Sequence, residues 1–127
     1  FNEILAKKAI FDSLTISDVI ESRPGRFAES GQERVKGVKP IEILIPYINV
    51  LTDKNDLIFE PFGGSGSTLI ACEQTDRRCY MMEIDSLYCS VIIERYINLK
   101  GSQEVWKIVG DKKILLEDLE KEKNHGI

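Results

Sequence analysis

No apolar run among these 127 residues is long enough to span a bilayer, and Phe1-Asn2-Glu3-Ile4 lacks the basic region and long apolar core of a secretory signal. We therefore expect a cytoplasmic protein without membrane contact. Cysteine is scarce: Cys72, Cys79 and Cys89 are odd in number and form no C-x-x-C pair. That pattern argues against a disulfide framework and a zinc site, and leaves buried thiols as the expectation. The one histidine, His125, lies in a polar tail, so neither a histidine base nor a histidine metal centre is expected. Positive charge is not in excess either, with 17 Lys and Arg against 21 Asp and Glu. A whole-domain basic footprint for nucleic acid is absent. The chain opens on Phe1 rather than Met, from which we expect a piece of something longer.

What is present suits one compact domain, since 43% of the residues are hydrophobic and 30% charged. Its organising stretch is Leu57-Ile58-Phe59-Glu60-Pro61-Phe62-Gly63-Gly64-Ser65-Gly66-Ser67-Thr68. An apolar run closes on an acid and a proline, then opens into three glycines within four positions. This predicts strand, tight loop and helix, with the loop able to approach a ligand closely.

Around that stretch, Phe1 to Phe11 reads as a helix, and Thr15 to Ile20 as either a strand or a turn of helix. Arg23 to Lys39 is a glycine-containing basic loop, either a solvated surface or a contact for phosphates. Pro40 opens a helix carrying Ile41, Leu44, Ile45, Ile48 and Leu51, which Pro46 should kink or break near Ile45. A strand over Leu57 to Phe59, a helix over Ser67 to Gln74, a strand over Cys79 to Ile84 and a helix from Asp85 to Gly101 follow. Strand, helix, strand, helix implies a parallel α/β sheet. Glu104 to Val109 is a strand or a packed turn with Trp106 in the core, and Ile114 to Lys123 a terminal helix. So small a sheet has open edges, to be covered by a second copy of the chain or by an upstream segment.

The glycine loop does not fit two familiar phosphate binders. No lysine precedes Ser67-Thr68, as a phosphate loop requires, and the third glycine of a dinucleotide fingerprint is replaced by Leu69. A third pattern fits better. Glu60 and Glu83 end successive strands about one βαβ unit apart, and both would face the crevice at the carboxyl ends of the strands. An acid after the second strand can accept ribose hydroxyls, and Phe62 can lie against an adenine or the cofactor chain. S-adenosylmethionine, with a ribose but no phosphate, suits that set.

Val38-Lys39-Pro40-Ile41-Glu42, Phe59 to Thr68, and Met82-Glu83-Ile84-Asp85-Ser86-Leu87-Tyr88-Cys89 together resemble the cofactor half of the DNA methyltransferases that modify the exocyclic amine of adenine or cytosine. Three motifs, K-P, D-P-F-x-G-S-G-T-T and G-I-E-x-D-x-x-Y, follow one another in that family in this order. The resemblance runs from Val38 to Gly110, with a loose match at Trp106 to Gly110, and implies a partial Rossmann-like S-adenosylmethionine-dependent methyltransferase fold. It also implies that Phe62, Gly63, Gly64, Ser65 and Gly66, behind Glu60 and Pro61, wrap the methionine part of the cofactor. Glu83 would hold the ribose, Ile84 would pack on the adenine, and Lys39-Pro40 would border the methionine end. Glu60 stands where the family has Asp.

We accordingly divide the chain into an N-terminal helix and basic loop (1–37), a cofactor-binding domain (38–110) and a charged tail (111–127). The D/N/S-P-P-aromatic motif that orients the target amine is missing, because the four prolines include no adjacent pair. No catalytic residue is assigned. Two readings follow: the cofactor-binding part of a DNA methyltransferase of restriction-modification type, meeting DNA through a missing portion or the basic loop; or a non-catalytic remnant that binds cofactor or partner subunits.

Overall fold

A computed structural model describes residues 38–118 together with Lys121. The elements expected within 1–37 lie outside the described residues. Helix α1, Ile41–Leu51, starts from Pro40, whose extended backbone (φ −60°, ψ 135°) places it just outside the first turn. Of the kink or break expected near Ile45, the break does not occur: Pro46 lies within this helix, which runs on to Leu51. The proline forfeits the hydrogen bond to the Glu42 carbonyl, a cost of about 3 kcal/mol in a helix interior. Burial offsets it: Ile48 packs with Ala71 and Cys72, and Ile41, Leu44 and Ile45 close around that cluster. Thr52 ends the helix by donating both its amide and its hydroxyl to the Ile48 carbonyl.

Strands β1, Leu57–Glu60, and β2, Arg78–Met81, pair in parallel with Leu57 opposite Arg78 and Glu60 opposite Met81. The crossover is helix α2, Ser67–Gln74. Alternation divides the pair into two faces. Ile58 and Cys79 point toward the α1–α2 core, whereas Leu57, Phe59 and Tyr80 are exposed on the other side. Of the three thiols, Cys72 is buried and Cys79 and Cys89 are half-buried. Burial, and the neighbouring Cys72, push the Cys79 thiol up to about 12.

The second strand stops three residues earlier than its apolar run suggests. The amide of Met82 still reaches the Glu60 carbonyl at 2.9 Å, but the Met82 carbonyl accepts Gly63 of the glycine loop at 2.8 Å. Beyond it the Glu83 carboxylate takes the amides of Ile84 and Asp85, which turns the chain out of extended form. Helix α3, Ser86–Lys100, then starts on Asp85 and ends at Gly101 with φ +95°. Lys100 pairs with Glu73 at 2.9 Å and ties the C-terminal end of α3 to α2.

After a short 3₁₀ turn, Ser102–Glu104, strands β3, Trp106–Val109, and β4, Lys112–Leu115, form an antiparallel hairpin. It is a separate two-stranded sheet. This corrects two expectations. Ile114 and Leu115 belong to a strand, because the Gly110-Asp111 turn, with Gly110 at φ +59°, folds them back along β3, and the helical residues expected from Ile114 begin only at Leu116. Trp106 is 46% exposed rather than in the core, with the Lys113 ammonium 4.3 Å from its ring centre. The boundary expected after Gly110 falls within this hairpin's turn. The described residues thus form a mixed α/β unit with one parallel strand pair, and none of their helices is long and apolar enough to cross a membrane.

Candidate functional site

The glycine loop bridges the carboxyl end of β1 to α2, and its shape is set by hydrogen bonds from four directions. Glu60 braces it from within, accepting the Phe62 amide on Oε1 and the Thr68 hydroxyl on Oε2, each at 3.0 Å. The amide of Gly66 reaches the Gly63 carbonyl at 2.9 Å. Ser67 Oγ donates to the Lys39 carbonyl at 2.6 Å and so pins the start of α1 beside the loop. Glu83 reaches across from the end of β2 and accepts the Gly64 amide at 2.7 Å.

The three glycines do different things. A Cβ at Gly63 would lie 2.8 Å from Cγ and Sδ of Met81 and 3.1 Å from the Met82 carbonyl. One at Gly66, where φ is +81°, would lie 3.0 Å from Ile92. Packing therefore accounts for both. Gly64, at φ +53°, has open space where its Cβ would be and faces a cleft.

That cleft, about 520 Å³, is lined by Pro61, Phe62, Gly64, Met82, Glu83 and Ile84. Its walls are apolar: Phe62 and Ile84 are 86% and 100% exposed, side chains left in water beside the carboxylate. A smaller cavity of about 150 Å³ shares Phe62 and Gly64 and is bounded by Lys39, Glu60, Gly63, Ser65, Ser67 and Thr68. An apolar compartment and a polar one thus meet at Phe62 and Gly64 of the loop, which line both. The structure brings nine of the predicted residues to these two cavities. Pro40 and Gly66 line neither; they shape the backbone beside them.

The amides of Asp85, Gly64 and Ile84 hold the Glu83 carboxyl below the usual glutamate range. A carboxylate offers about four acceptor positions, and here Oε1 takes two amides and Oε2 one. One position, on Oε2, remains for a hydroxyl donor in the cleft. Neither a phosphate nor another anion belongs beside it.

One residue beneath the loop went unpredicted. Arg95 of α3 is only 7% exposed, and its Nη1 donates to the Ser65 carbonyl at 2.6 Å, with Ser65 Oγ at 3.3 Å and Ser67 Oγ at 3.2 Å. Burial lowers its pKa from the ordinary arginine value. The sequence did carry a signal. Arg95 stands four residues after the buried Val91 and three after Ile92, on the inward stripe of α3 where a charge is out of place.

The model of the N6/N4 DNA methylase family matches residues 7–94, more than half of the chain. The chain belongs to that family. Among curated relatives, the type II methyltransferase M.BamHI of Bacillus amyloliquefaciens is 30% identical over 98 residues, 76% of this chain and 22% of its own length. The putative methylase YubD of Escherichia coli K12 is 37% identical over 59 residues, 46% of this chain and 26% of its own. The type II methyltransferase M.Cfr9I of Citrobacter freundii is 32% identical over 56 residues, 44% of this chain and 19% of its own. The chain spans about a quarter or less of the length of these relatives. A crystal structure of M1.HpyAVI is similar at 28% identity and a TM-score of 0.44, over 45% of this chain and 31% of that one.

Proposed function

We propose that this chain is the S-adenosylmethionine-binding part of a DNA methyltransferase acting on the exocyclic amine of adenine or cytosine. One observation carries the reading: the Glu83 carboxylate, with one acceptor position left, stands between an apolar cleft and the glycine loop. The Phe62 ring and the Ile84 side chain offer apolar contact to an adenine, and Glu83 accepts a ribose hydroxyl. The recess bounded by Lys39, Ser65 and Thr68 takes the amino-acid end. When bound, S-adenosylmethionine supplies an electrophilic methyl group to the target amine. These residues bind and orient the donor and shield it from water on one side; the base-orienting motif is not among the 127 residues, which contain no adjacent prolines.

Calorimetric titration with S-adenosylhomocysteine tests the reading. Saturable binding at micromolar concentration is expected, about −8 kcal/mol, with no methyl incorporation into DNA by the chain alone. Absence of heat at concentrations well above that range overturns the cofactor assignment, and methyl transfer by this chain overturns the division of labour.

A further inference from the structure

Arg95 lies outside both cavities, and nothing in the binding scheme above uses it. Its Nη1 nevertheless takes hold of the loop at its most constrained peptide. The Ser65–Gly66 unit lies between Gly64 and Gly66, both in the left-handed region at φ +53° and +81°. Its carbonyl is held by Arg95 at 2.6 Å and its amide by the Gly63 carbonyl at 2.9 Å. Gripped at both ends, that peptide plane cannot flip without breaking a charge-assisted bond inside the protein. The same nitrogen approaches Ser67 Oγ at 3.2 Å, whose hydroxyl is donated to the Lys39 carbonyl at 2.6 Å. One buried guanidinium thereby couples α3 to the glycine loop and the segment entering α1, two stretches that border the polar recess.

We propose that Arg95 is a positioning residue for the amino-acid end of the cofactor: it sets the loop geometry around the recess without touching the ligand. The inference rests on the assignment of S-adenosylmethionine above and goes beyond it. It divides the site energetically. The apolar cleft of Phe62, Ile84 and Glu83 is built on β1, β2 and the Glu83–Gly64 bond and shares only Phe62 and Gly64 with the recess, whereas Arg95 bonds Ser65 and Ser67, which line the recess alone, so the loss of Arg95 falls on the recess first.

The test compares two ligands on the full chain by calorimetry, S-adenosylhomocysteine, which carries the amino-acid end, and methylthioadenosine, which does not. Lysine keeps the charge but not the planar fork, so Arg95→Lys should weaken S-adenosylhomocysteine about tenfold and leave methylthioadenosine within about twofold. A purely structural role would weaken both ligands alike, and equal losses, or no loss, overturn the proposal. If wild-type chain binds neither ligand, the cofactor assignment itself fails, a result distinct from the others. Should Arg95→Lys not fold, Arg95→Gln decides, because it keeps a planar amide donor on the residue that holds the Ser65 carbonyl, leaves every residue lining the recess in place and removes the buried charge. A loss confined to S-adenosylhomocysteine supports the proposal, and unchanged affinity for both overturns it.

Discussion

The chain passes twice from a parallel strand through an acidic residue into a helix, and the two passages end differently. After β1, Glu60 spends its carboxylate inside its own loop, and α2 starts on Gly66 with no side chain capping it. After β2, Glu83 reaches across to the first loop, and α3 starts on Asp85, whose carboxylate accepts the amides of Leu87 and Tyr88. One helix start is closed by its own sequence and the other is left open beside the recess. The same local pattern thus serves once to shape a cavity and once to anchor a helix. Only the first passage needs glycine, because its backbone must fit under Met81 and against Ile92.

The largest effect that would break this comparison is at Glu83. Glu83→Ala removes the carboxylate that accepts the Gly64 amide and faces the cleft, and S-adenosylhomocysteine affinity should fall roughly ten- to a hundredfold, as read by calorimetry. An Asp85→Ala variant that loses as much affinity would show that the cap of α3, too, belongs to the site.

Gly63→Ala should destabilise the fold by about 1–3 kcal/mol, the usual cost of overpacking, because Met81 and the Met82 carbonyl leave no room for the methyl group. Urea denaturation measures this, and Gly64→Ala makes the control for space, since only its backbone conformation objects.

Asp85→Ala should cost about 1 kcal/mol of stability, as expected for a lost helix cap, and change ligand affinity by less than about threefold. Thermal denaturation and calorimetry on one preparation separate the two effects. Capping would then belong to folding and the Glu83 bond to binding.

The smallest effect is in pH. The fold holds the ionised form of Glu83, so its contribution is complete above the ordinary glutamate value of 4.5 and is lost as pH falls through the depressed one. The amide resonance of Gly64 should report a titration midpoint below 4.5. A midpoint at or above that value would mean that the Glu83–Gly64 bond does not form in solution.

Much of the site was legible in the residues because it is local. Strand, glycine loop and helix over Leu57 to Gln74 follow from a short apolar run, three glycines and a small-residue helix start. Asp85 as a cap and Gly101 as a stop are read from side-chain chemistry alone. Where sequence reasoning failed, long-range contacts had overruled a local preference. Pro46 stays helical because Ile48 is buried against α2, and β2 stops at Met81 because the glycine loop takes the Met82 carbonyl. Of the β3–β4 hairpin, β3 was legible as one of two readings and β4 was missed, because Ile114-Leu115-Leu116 beside a charged run reads as a helix, and Trp106, read as core, lies 46% exposed.

The sequence by itself determined the order of motifs, the two strand-end acids and the family, because each depends on residues near one another in the chain. Tertiary structure alone decided that Glu83 bonds Gly64 across 19 residues and that Arg95 reaches Ser65 across 30. It also decided which glycines are required by packing and which one faces the cleft. The physical reason is the same in each case. A hydrogen bond between distant residues depends on how helices and strands stack, and stacking is settled by burial summed over the core rather than by any local pattern.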